Sequence, residues 1–242
     1  MIEWWLLLLF AVVAFAYSLV GHGGASGYLA IMALLSFTPA LMKPTALVLN
    51  LFVSLIAFVQ FYRAGHFRWK LFWPFAIVSI PCAFLGGRID LDPLWYKRLL
   101  GLCLVVAALR LFGLFSRRDH AISEPPIVLA LFFGAAIGLL SGLLGIGGGI
   151  LLSPVLLLAA WADAKTAAAV SSLFIFVNSA AGLIGSRSEM AVIDPSMFLW
   201  IGATVIGGLL GSWIGARRAP EPRLRQVLGG VMVLASIKLF WP

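Results

Sequence analysis

Gly142-Leu-Leu-Gly-Ile-Gly-Gly-Gly-Ile-Leu-Leu-Ser-Pro154 is the stretch on which the fold turns. It lies inside an otherwise apolar run, and its glycines break any helix entering it. The residues that follow can open a new helix whose first amide N–H groups have no partner within that helix. The macrodipole places about half an elementary positive charge at such an end. Glycine, lacking a side chain, lets an anion approach those amides closely. A shorter version, Gly21-His-Gly-Gly-Ala-Ser-Gly27, stands about half the chain earlier.

Around these two stretches, composition sets the solvent. Of 242 residues, 62% are apolar and 11% charged, against about 45–50% and about 25% in soluble domains. Mean hydropathy is +1.08. A water-soluble fold of this size cannot hide so much hydrocarbon, so the expected class is an all-α polytopic membrane protein. Lys and Arg number 17 against 9 Asp and Glu. The basic residues sit in short loops, which points to membrane orientation and not to a nucleic-acid partner. No Walker-type loop is present, so no ATPase engine is expected. Cys82 and Cys103 lie within apolar runs and read as small buried hydrophobes. No metal and no cofactor are expected. The run 4–20 lacks a preceding basic region and reads as a retained membrane segment, not a cleaved signal.

A span needs about 20 mostly apolar residues. The candidate runs are 4–20, 25–42, 45–62, 71–88, 95–115, 126–144, 149–162, 166–185, 197–215 and 223–240. They form two sets of five. Gly21-His22-Gly23-Gly24 matches Gly145-Ile146-Gly147-Gly148, and Lys43-Pro44-Thr45-Ala46 matches Lys165-Thr166-Ala167-Ala168. Asn50-Leu51-Phe52 matches Ser172-Leu173-Phe174, and Arg110-Leu111-Phe112 matches Lys238-Leu239-Phe240. An odd number of segments turns the second set over, so the expected organisation is two inverted-topology repeats, 1–118 and 126–242, joined by a cytoplasmic linker at 119–125. Each repeat would open with glycine-broken or re-entrant helices. One side then collects Arg63, Arg68, Lys70, Arg110, Arg117, Arg118, Lys165, Arg217, Arg218, Arg223 and Arg225. The other receives only Lys43, Arg88, Lys97, Arg98, Arg187 and Lys238. Positive-inside counting puts the first group in the cytoplasm and both termini outside.

The two glycine stretches, with the Gly-x-x-x-Gly pattern at Gly211 and Gly215, resemble the TauE/SafE family of membrane permeases, also called the sulfite exporter or TSUP family. The likeness extends over nearly the whole chain. The first stretch departs from the usual form, with His22 at an apolar position and Ala30 opposite Pro154. The resemblance implies secondary transport of small anions across a bacterial inner membrane. Such anions are often sulfur-containing: sulfite, thiosulfate or an organosulfonate.

From the residues themselves, the expected site lies near the bilayer midplane between the broken helices. Its candidate substrate ligands are Gly21, His22, Gly23, Gly24, Asn50, Gly145, Gly147, Gly148, Gly149, Ser171, Ser172 and Asn178. Asn50 and Ser54 share a helical face, as do Ser171 and Asn178, and Ser172 and Ser179. Neutral hydroxyl and amide donors can replace the hydration of an oxyanion. Single serines also fit interhelical hydrogen bonding. No Asp or Glu falls mid-run, so a carboxylate proton relay is not expected; His22 is the one intramembrane group titrating near neutrality. Lys43 and Lys165 occupy matching positions and are candidate vestibule charges, snorkelling being the alternative. Neither a nucleophile–base pair nor a metal-ligand spacing is present, so an enzyme is not expected. The partners implied are a small anion and membrane lipid. An anion channel or a non-transporting scaffold remains the alternative. The exact anion, direction, coupling ion (proton or sodium) and any homo-oligomer stay open.

Overall fold

The computed structural model describes residues 4–113, 122–186, 196–218 and 222–241, and within them every regular element is a helix. The order is α1 (Trp4–Ser18), α2 (Ala25–Leu34), α3 (Pro39–Arg63), α4 (Trp69–Arg88), α5 (Pro93–Leu111), α6 (Ile127–Leu144), α7 (Gly149–Leu158), α8 (Ala164–Gly185), α9 (Ser196–Arg217) and α10 (Pro222–Phe240). This is a polytopic membrane fold: α3, α4, α6, α8 and α9 are each long and apolar enough to cross a bilayer. The expected linker at 119–125 lies partly outside the described residues.

Two expected runs are corrected. The run 25–42 ends at Leu34, and α3 opens at Pro39 and continues through Pro44. Pro39 stands at the first helical position, where a missing N–H costs nothing, so the Pro39–Pro44 stretch starts a helix and does not separate two. The run 149–162 likewise stops at Leu158. Ser36 and Ala160, each two residues past a short helix, are the non-glycine residues with positive φ among those described, at 62° and 52°. The matching halves thus turn the same way at the same place. With ten residues each, α2 and α7 are about 15 Å long, half of a hydrocarbon core of about 30 Å.

Helix directions follow from which residues meet. Asn50 bonds Ser179, and Phe61 packs with Ala168 and Ala169, so α3 and α8 run antiparallel. A Cβ on Gly134, Gly138 or Gly142 of α6 would meet Phe75, Ser79 or Ala83 of α4 in the same order, so α4 and α6 run parallel. Gly207, Gly211 and Gly215 of α9 bear the same relation to Ala11, Phe15 and Leu19 beyond and within α1. The pairs α4–α6 and α1–α9 exchange under the match of the two halves, as do α4–α8 and α3–α9, and α10–α2 and α5–α7. The Gly211 and Gly215 pattern therefore serves a helix seam. Small residues let backbones approach where lipid supplies no hydrophobic drive between helices.

Around this frame Trp4, Trp5, Trp69, Trp73, Trp95, Trp213 and Trp241 are exposed near helix ends, as interfacial anchors are.

Gly142→Val places a side chain against the Ala83 carbonyl. It is expected to cost about 1–3 kcal/mol of stability through overpacking. Gly202→Ala, where a Cβ meets nothing within 4 Å, is expected to stay within about 1 kcal/mol of the native chain. Thermal unfolding in detergent measures both.

Candidate functional site

The two glycine turns meet at one side chain. Asn50 sits midway along α3 and is 1% exposed. A Cβ on Gly23 would collide with its Oδ1, and one on Gly147 with its Nδ2. The carboxamide is thus held between the backbones of the two turns, which come from different halves of the chain. Ile175 of α8 closes the same space: its Cγ2 would stand 3.2 Å from a Cβ on Gly23 and 2.8 Å from one on Gly147. Gly147 has φ 73°, so any side chain there is both strained and obstructed. The Ala25 N–H, which opens α2, donates to Asn50 Oδ1 at 3.1 Å, and Asn50 Nδ2 donates to Ser179 Oγ at 3.3 Å.

From that centre the short helices diverge. The Leu34 carbonyl at the end of α2 accepts from Lys238 Nζ, near the start of α3. Beyond the end of α7, the Ala160 carbonyl accepts from Ser123 N–H, and Trp161 lines a cleft of about 310 Å³ with Arg68, Lys70, Trp73 and Glu124, at the far end of α3. So α2 and α7 start together beside the middle of α3 and end toward its opposite ends.

On the α7 side a polar chain crosses between the halves. His22 Nδ1 lies 2.8 Å from the Val20 carbonyl, which assigns the proton there in the neutral ring. Nε2 then accepts from Ser153 Oγ at 3.1 Å, and Ser171 Oγ stands 2.7 Å from Ser153 Oγ. The Gly149 carbonyl, 3.2 Å from Nε2, can accept in turn from a doubly protonated ring. All three side chains are buried. Ser153 belongs to the glycine stretch itself yet is invisible as a ligand from sequence, where it reads only as the residue before Pro154.

Asn50, His22, Ser171 and the two glycine turns are therefore brought together. Gly21 abuts Ala168 of α8 and Gly145 abuts Lys43 of α3, each turn resting on a long helix of the other half. Two candidate ligands bond within their own helix: Ser172 Oγ donates to the Ala169 carbonyl, and Asn178 Nδ2 to the Phe174 carbonyl. Lys43 is buried, and its Nζ donates to the Gly87 carbonyl at 3.0 Å near the C-terminus of α4. A cation there complements the dipole. Its match, Lys165, is partly exposed.

A family model for the sulfite exporter TauE/SafE matches residues 6–239. The chain belongs to the TauE/SafE family. A probable membrane transporter protein of Sinorhizobium fredii is 39% identical over 98% of this chain and 97% of its own length. A probable membrane transporter protein of Xylella fastidiosa is 27% identical over 95% and 92%, and one of Methanocaldococcus jannaschii is 29% identical over 54% and 50%. No solved structure matches the chain. This TauE/SafE protein is a multi-pass membrane protein, and the names of its family and relatives describe transporters.

Within this TauE/SafE chain the helix openings differ in what fills them. At α8, Asp163 supplies its own anion: its Oδ1 accepts from the Lys165 and Thr166 amides at 2.9 and 3.0 Å, and Oδ2 from the Thr166 hydroxyl at 2.7 Å. Burial pushes this carboxyl up, but those bonds outweigh it and hold the pKa below the ordinary value. At α2 and α7 the capping residues are Gly24 and Gly148, which carry no side chain to do this.

Asp163→Ala is expected to cost about 1 kcal/mol of stability at neutral pH through loss of the cap. Because the folded pKa is depressed, the native advantage is complete above the ordinary carboxylate pKa of about 3.9. It is lost as pH falls through the lower folded value. Unfolding midpoints of the two proteins should converge in that acid range and differ above it.

Proposed function

We propose that this protein is a secondary transporter for small oxyanions, sulfur-containing ones first among them, working by alternating access around the centre described above. The carrying observation is the convergence of two glycine-led helix openings, one from each half, on a single buried carboxamide. Each opening directs amide N–H groups and a positive dipole end toward mid-depth. Neutral hydroxyl donors supplement them: Ser153 and Ser171 on one side, Ser179 on the other. A small oxyanion matches this set, because its charge meets dipoles and its several oxygens meet several donors.

The halves 1–118 and 126–242 are read as an inverted repeat. The opposed directions of α3 and α8, the exchange of packing pairs and the opposite exits of α2 and α7 all support it. Alternating access then amounts to the two cradles taking turns facing their own side. The basic cleft of Arg68 and Lys70 would draw anions toward one entrance. Positive-inside counting places that entrance in the cytoplasm and the termini outside, in a bacterial inner membrane. His22, bonded across to Ser153, is the group through which a proton would be coupled. The sulfur preference rests on the family's name, and the transporter role on the names of the relatives as well.

Flux of labelled sulfite into proteoliposomes tests the reading. The native protein should carry sulfite against empty-liposome controls. Gly147→Ala, with a Cβ that collides with Asn50 at φ 73°, should lower the rate at least about tenfold, since strain there is of order 1–3 kcal/mol. Gly202→Ala should leave it unchanged. Native-like flux in folded Gly147→Ala removes the glycine turns from the mechanism.

A further inference from the structure

We propose that the Asn50 carboxamide is a tethered stand-in for the substrate, a latch that occupies the α2 opening and must be displaced by the incoming anion. This rests on the oxyanion reading above and adds to it a residue that sets affinity. Asn50 Oδ1 takes the first amide of α2, the position an anion oxygen would take, while Nδ2 ties the same group to Ser179 of α8. One side chain thereby joins α2, α3 and α8. Its match in the second half, Ser172, bonds back into its own helix. Two openings that match in backbone are consequently unlike: a side chain accepts from the first amide of α2, and among the described residues no side chain is bonded to the first amides of α7.

A second observation marks both openings as places for a ligand. Each has a fully buried hydroxyl with no hydrogen-bond partner: Tyr28 OH at α2 and Ser141 Oγ at α7. A Cβ on Gly24 would lie 2.7 Å from Tyr28 OH, and one on Gly148 would lie 3.4 Å from Ser141 Cβ. An unsatisfied buried hydroxyl is costly, and the Asn50 carboxamide does not satisfy Tyr28. An oxyanion brings a full charge and several oxygens, so it can take the Ala25 N–H and the Tyr28 hydroxyl together. Displaced Asn50 releases Ser179 as well. Anion entry at α2 therefore unties α3 from α8, which couples binding to helix movement.

A tethered competitor lowers apparent affinity by the fraction of time it holds the site. Sulfite binding to purified protein, followed by calorimetry, should tighten about fivefold in Asn50→Ala, the worth of one neutral hydrogen bond. Asn50→Asp keeps an acceptor for the Ala25 N–H and adds a charge that repels the anion, so it should weaken binding at least about tenfold while the protein stays folded. Asn50→Ser serves where the alanine variant does not fold, and should also bind more tightly than the native chain. Equal affinities in the native and Asp variants, or weaker binding in folded Ala and Ser variants, overturn the latch. A native protein and an Asn50→Ala variant that both fail to bind sulfite, thiosulfate and sulfoacetate overturn the oxyanion reading with it. Native binding with no separation of the variants overturns the latch alone.

Discussion

A helix that begins inside a membrane cannot leave its first amides to water, and everything at the centre of this protein follows from that constraint. The two ten-residue helices begin at buried glycines beside the middle of α3, a helix long enough to span a bilayer. Something must meet their N–H groups. A charged side chain would do so permanently, as Asp163 does at the rim for α8. At α2 and α7 the capping residues are glycines instead, and a glycine cap leaves the end open to a partner that comes and goes. The same absence of side chains lets both turns press against one carboxamide, so the site is compact because its walls are backbone.

Much of this was legible in the sequence. Composition alone fixed lipid as the solvent, and duplicated glycine clusters marked where two helices would break. Asn50 stood out as a scarce mid-run amide, and the structure buries it between the two turns. Its partners did not, because Ser179 and Ala25 are brought to it by the crossing of α3 with α8 and by the depth to which α2 enters, neither of which has a local sequence signal. Ser172 and Asn178 show the converse. Spacing put them on plausible faces, but the Ser172 hydroxyl and the Asn178 Nδ2 each donate to a carbonyl about one turn back, leaving only Asn178 Oδ1 without a partner.

Proline and lysine misled for related reasons. Pro39 and Pro44 look like punctuation, yet Pro39 at the first helical position is compatible with a helix, and α3 continues through Pro44 in its interior. Lys43 looks like a vestibule charge when only its position before a run is known. The structure gives it the end of α4 as a partner, at a carbonyl that becomes reachable because Gly87 packs against Gly182 without a side chain between them. A cation buried in this way is bound to a dipole from another segment, which no reading along the chain can supply.

The glycine seams have a consequence for how the molecule can move. In α4–α6 the stripe of glycines lies on α6, the first helix of its half; in α1–α9 it lies on α9, the fourth of its half. Both seams nonetheless join one half to the other by near backbone contact. The tightest joins therefore run crosswise, each binding one helix from residues 1–118 to one from residues 126–242. Parting the chain at its middle would have to open both seams at once.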